Sequence, residues 1–112
     1  MEPGPVRGYH AHVYFDAATA EAAASVREQV AKACRVRLNT WRDAPIGPHP
    51  CPSYEIAFAP EEFQAVVPWL MLHRQGLTVL IHPETGDDLA DHTLHALWLG
   101  PPRTLKLDVL TR

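Results

Sequence analysis

Cysteine is scarce in this chain. Only Cys34 and Cys51 occur in 112 residues, and neither belongs to a C-x-x-C pair. A bridge between them is disfavoured in a cytosolic setting, so they read as a small apolar filler at Cys34 and a loop thiol at Cys51. Long hydrophobic runs are absent too. No stretch approaches the ~18 apolar residues of a membrane span, and the opening "MEPGPVRG" lacks the charged-then-apolar pattern of a signal peptide. The expectation is a soluble cytoplasmic protein. No basic block breaks the mixture of acids and bases, and the formal net charge is −3. A nucleic-acid partner, whose phosphates demand clustered cations, is therefore disfavoured. Neither an internal repeat nor a low-complexity tract is found. The length fits one domain over residues 1–112 with a single modest core.

Histidine, by contrast, is plentiful: seven are present, and six lie outside the two helices that the pattern predicts. Residues 9–15 alternate His10, His12 and Tyr14 against Ala11, Val13 and Phe15, which is strand period with the second set as the core face. Asp16 and Thr19 are both candidate N-caps for a helix over 18–34, whose apolar stripe runs through Ala23, Val26 and Val30. A second strand is predicted over 36–41. The stiff loop "RDAPIGPHPCPS" follows, with prolines that cannot join a ladder. Residues 54–58 read as a third strand. A helix opens at Pro60 and stops at Gly76, with Phe63, Val66, Val67 and Leu70 inward and Pro68 expected to kink or divide it. Residues 77–82 form a fourth strand. The alternation of Leu105, Leu107 and Val109 predicts one more, over 104–110.

The order βαββαβ predicts an α+β fold: a ferredoxin-like sandwich with an antiparallel sheet in strand order 4-1-3-2 and both helices on one face. That topology sets the first and fourth strands side by side and antiparallel. His10 and His12 then meet His82 on the helix-free face, three neutral nitrogen donors on a rigid backbone, as a metal ion requires. Glu55 alternates away from Tyr54, Ile56 and Phe58 and can add a carboxylate to the same face. The competing view is plain: a histidine in a strand is as a rule a surface or hydrogen-bonded residue. His73 reads as a partner of its helix's C-terminal dipole, Trp69 and Trp98 as packing or dimer surface, and Thr85-Gly86-Asp87-Asp88 as a turn.

Four motifs in one order, "YHAHVYFD", "IGPHP", "LIHPETGDD" and "DHTLHALWLG", resemble the DOPA 4,5-dioxygenase family, over Tyr9 to about Gly100. The tail beyond Gly100 is the least matched part. The resemblance implies a ferredoxin-like domain, often dimeric, tied to extradiol cleavage of catechols such as 3,4-dihydroxyphenylalanine with O2. His10 and His12 match the H-x-H motif, His49 the G-P-H-P motif, and His82 and His92 the two C-terminal motifs. On that basis His10, His12 and His82 are the expected ligands of non-haem Fe(II), with His49 and His92 as an acid/base pair, and Tyr14 and Glu55 at the substrate. His49 as a third ligand is an alternative, and zinc can replace iron in purified protein. A rival expectation is a non-catalytic dimeric ferredoxin-like module that binds a small aromatic or a zinc ion.

Overall fold

A computed structural model describes residues 2–111. It contains β1 (Tyr9–Tyr14), α1 (Ala20–Ala33), β2 (Arg37–Leu38), β3 (Ser53–Phe58), α2 (Phe63–His73), β4 (Val79–Pro83), α3 (Asp88–His92) and β5 (Leu97–Leu99). Single 3₁₀ turns occupy Pro60–Glu62 and Leu107–Leu110. The sheet order is β2-β3-β1-β4-β5 and every pairing is antiparallel. The first four strands keep the predicted ferredoxin-like order, and β5 extends it past β4.

One face of the sheet carries the core. Ala11, Val13, Phe15, Ile56, Val79 and Ile81 pack against Ala23, Val26 and Val30 of α1 and Val66, Val67 and Leu70 of α2. Each apolar residue of β1 alternates with one of the opposite face, so this packing fixes where His10, His12 and Tyr14 point. Before α1, Asp16 Oδ1 accepts from both the backbone N–H and the hydroxyl of Thr19. This closed turn delays the helix to Ala20 rather than residue 18.

Three expectations are corrected. The predicted strand over 104–110 is absent, and the fifth strand lies at Leu97–Leu99. Gly100, at a φ of 79°, turns the chain out of the sheet, and Pro101 and Pro102 then interrupt the supply of ladder donors. The tail lies instead against the proline loop, where the Lys106 N–H donates to the Pro48 carbonyl at 2.9 Å. The second strand shrinks to Arg37–Leu38, with a separate bridge between Arg42 and Ser53. Pro68 does not divide α2, which runs unbroken through it. Its ring costs the helix one hydrogen bond, to the Gln64 carbonyl, and both residues are solvent-exposed, so water can take up that carbonyl.

The second face of the sheet is not bare. Tyr14 and Leu80 point to it and are almost wholly buried, as are His12 and His82. The proline loop and α3 cover it in place of long helices.

Candidate metal centre

The register sets His10 directly opposite His82 and His12 opposite Leu80. The Nε2 atoms of His12 and His82 then approach to 3.0 Å. His82 Nδ1–H donates to the Pro83 carbonyl at 3.0 Å. A carbonyl only accepts, so this bond places the proton on Nδ1 and leaves Nε2 with its lone pair facing His12. Nitrogens at adjacent positions about 2.1 Å from one ion lie about 3 Å apart, and the His12–His82 spacing fits that geometry. His10 completes the group: one ring nitrogen from each of His10, His12 and His82 lies within 4.8 Å of those of the other two.

A second group of the same kind, His12, His49 and His92, shares His12 with the first. His49 reaches it because the proline loop crosses the sheet face. Gly47, at a φ of 55°, makes the turn in which the His49 N–H bonds the Ile46 carbonyl at 3.0 Å. The His49 ring stands 4.1 Å from that of His12, centroid to centroid. Its Nδ1 is hydrogen-bonded to the Tyr14 hydroxyl at 2.7 Å. His92 closes α3, where Nδ1–H donates to the Asp88 carbonyl at 2.7 Å and its ring lies 4.0 Å from that of His82. His82 and His92 thus have the same tautomer, each with a free Nε2. The sequence-predicted residues His10, His12, His49, His82, His92, Tyr14 and Glu55 are brought together in one cluster. His73 stays apart, bonded to the Trp69 carbonyl of its own helix, and Trp98 lines the same face at 6.1 Å from the Tyr14 ring.

Burial sets the protonation states. It pushes His12 well below the ordinary imidazole range, with nearby His49 and His82 adding to the shift. Burial, then the neighbouring His92, lowers both His49 and His82 to about 4. These three imidazoles are neutral at pH 7, the state in which a nitrogen binds a metal. His10 differs. Burial pulls it down, but the Glu55 hydrogen bond and the charges of Glu55 and Glu84 outweigh that and raise it. Its Nδ1 lies 3.0 Å from both Glu55 Oε1 and Glu84 Oε1. A carboxylate behind a ligand imidazole fixes the ring and strengthens its basicity.

Three participants escaped the sequence reading. Glu84 continues the alternation of His82, two residues on, and that parity was the available signal. Asn39 Nδ2 donates a short hydrogen bond to Glu55 Oε2; its cue was its place beside the third strand. Asp91, almost wholly buried, accepts from the N–H and hydroxyl of Thr85 at 2.9 and 2.6 Å and ties the segment after β4 to the start of α3's final turn.

Comparison with known proteins places the whole region that carries these residues in one family. The sequence profile of the Dopa 4,5-dioxygenase family matches residues 9–109. A DOPA 4,5-dioxygenase of Amanita muscaria is 35% identical over 111 residues, covering 91% of this chain and 49% of the relative. An uncharacterized 21.2 kDa protein of Botryotinia fuckeliana is 34% identical over 120 residues, covering 96% of this chain and 66% of that one. The chain therefore spans about half to two thirds of the length of these curated relatives. A crystal structure of a "putative dioxygenase" from Nostoc punctiforme superposes with a TM-score of 0.94 at 52% identity, over 95% of this chain and 92% of that one.

Proposed function

The chain belongs to the Dopa 4,5-dioxygenase family, and on that premise we propose that it is an extradiol ring-cleaving dioxygenase acting on a catechol such as 3,4-dihydroxyphenylalanine with non-haem Fe(II). The observation that carries this is the 3.0 Å approach of two Nε2 atoms on adjacent strands, with a third imidazole, His10, beside them.

His10, His12 and His82 would hold the ion. Bound there, Fe(II) supplies a Lewis acid that acidifies a chelated phenol and a redox partner for O2. The protein's own part is to position and to move protons. His49 is neutral at pH 7 and so starts as a proton acceptor, facing the hollow lined by His12 and Glu55. His92, with Nδ1–H held by Asp88, offers the Nε2 lone pair as a second acceptor, which can give back the proton it takes up. Tyr14 has its hydroxyl on His49; burial raises its pKa far above neutrality, so it remains a hydroxyl that orients that ring. Glu55 anchors His10 and reaches to 3.9 Å from His12 Nε2, where it also borders the substrate. The buried face, covered by the proline loop and α3, excludes bulk water from the reacting groups.

Anaerobic reconstitution with Fe(II), then 3,4-dihydroxyphenylalanine and O2, tests this. The expected result is a yellow ring-fission product formed with O2 uptake. Bound iron with no product from any of a panel of catechols contradicts it.

One observation favours a second reading. Four buried imidazoles, His12, His49, His82 and His92, crowd one centre. Four such donors can close a tetrahedral zinc site with no open position, the property of a non-catalytic dimeric module. Tightly held zinc without activity would select that reading.

A further inference from the structure

Three hollows border the histidine cluster among the described residues; one of about 400 Å³ meets it at His82 alone. The largest, about 920 Å³, meets it only at His10 and Glu84. Another, about 460 Å³, is lined by His12, His49 and Glu55 together with Asn39, Thr40 and Arg42. Of the three, the one at His12 and His49 alone touches both a proposed metal ligand and a proposed proton acceptor, and its volume suits a single aromatic ring with a short substituent.

Arg42 is the cation of that hollow. Its backbone exchanges two hydrogen bonds with Ser53, at 2.9 and 3.1 Å, and Ser53 lies opposite Tyr14 in the sheet. Residues directly opposite share a face, so the row carries Arg42 to the histidine side. Among the described residues no carboxylate lies within ion-pair distance of its guanidinium. The acid in the same hollow, Glu55, is already engaged by Asn39 and His10. A planar guanidinium with no ion pair, on a residue that lines the same hollow as His12 and His49, suits a carboxylate through two parallel hydrogen bonds.

We propose that Arg42 anchors an anionic group on the side chain of the catechol, so that the site selects acidic catechols over neutral ones. This rests on the dioxygenase reading for the identity of the ring but not for the anion preference. The test is anaerobic titration calorimetry of the iron-loaded protein with 3,4-dihydroxyphenylacetate and with 4-methylcatechol. Metal-free protein is titrated in parallel with 4-hydroxyphenylacetate and 4-methylphenol, which need no ion. Wild type should bind each acid about tenfold more tightly than its neutral partner, as one charge-assisted contact implies. Arg42→Gln should erase that preference and Arg42→Lys restore part of it, with iron content unchanged in both; Arg42 is exposed, so folding is not at stake. Equal affinity for acid and neutral ligand in wild type, no binding of either, or a preference that survives Arg42→Gln overturns the proposal. Turnover of the same catechols separates the two claims. An acid preference without any ring-fission product leaves the anchor standing and removes the dioxygenase reading, and product without preference does the reverse.

Discussion

His12 is the residue that the two histidine groups share, and it has imidazoles on several sides. His12→Ala and His82→Ala are both expected to abolish stoichiometric iron binding, read as metal content after dialysis. His49→Ala should retain iron and lose turnover by roughly 10²- to 10⁴-fold, the span of a lost general base. Glu84→Gln should fall between, weakening metal affinity by roughly 10- to 100-fold through the ligand it supports, His10. Acid should also act through these residues. His49 and His82 titrate near 4 in the folded protein against 6.5 unfolded, so between those values the unfolded chain holds more protons and stability falls as pH falls. One such shift amounts to roughly 3 kcal/mol at full extent. His10, raised by its carboxylates, works in the opposite sense: its contribution is full below pH 6.5 and is lost as pH rises through its folded value. His12 is lowered as well, so three lowered groups outweigh one raised one. Urea midpoints of metal-free protein at pH 7.5 and 4.5 should therefore show the acid sample less stable, and equal midpoints would contradict the assignment of neutral buried imidazoles.

Among the elements, β1 was the most legible. Its two-residue alternation assigns His10, His12 and Tyr14 to one face without any tertiary information, and the βαββαβ order then supplies β4 as its neighbour. Loops were harder to read. The length of the proline loop permits His49 to reach His12 but no local pattern requires it; the path depends on the turn at Gly47 and on the contact between Pro48 and Lys106. The tail misled for a related reason. Leu105, Leu107 and Val109 alternate as a strand does, yet Gly100, Pro101 and Pro102 had already turned the chain away from the sheet edge, and a local period carries no information about which edge is in reach. In α2, Pro68 leaves the Gln64 carbonyl without its helical donor on an exposed surface. Pro68→Ala should restore that bond and raise the melting temperature by a few degrees, since interior proline is the least favourable helix residue by about 3 kcal/mol and part of this is offset by a freer unfolded chain. A lowered melting temperature would show instead that the proline's rigidity outweighs the bond.

At the scale of the whole molecule, the sheet divides two kinds of burial. One face holds an apolar core against α1 and α2. The other buries imidazoles and a tyrosine beneath the proline loop and α3, a costly arrangement unless those groups are paired with one another or with an ion. No helix among the described residues is long and apolar enough to cross a membrane. The resemblance carried by four spaced motifs ran from Tyr9 to about Gly100, and the family profile matches residues 9–109, reaching into the tail that those motifs leave out. It identified the histidines but not Glu84, Asn39 or Arg42, which lie outside those motifs or were unremarkable within them. The claim on which the rest depends is that His10, His12 and His82 share one ion on the covered face. The most direct measurement is an anomalous-difference map at the iron edge from crystals grown with Fe(II). A single peak within about 2.1 Å of His12 Nε2 and His82 Nε2, with His10 completing the set, is the predicted result. A peak held by His12, His49 and His92 without His82, or no peak on this face at full iron loading, would contradict it.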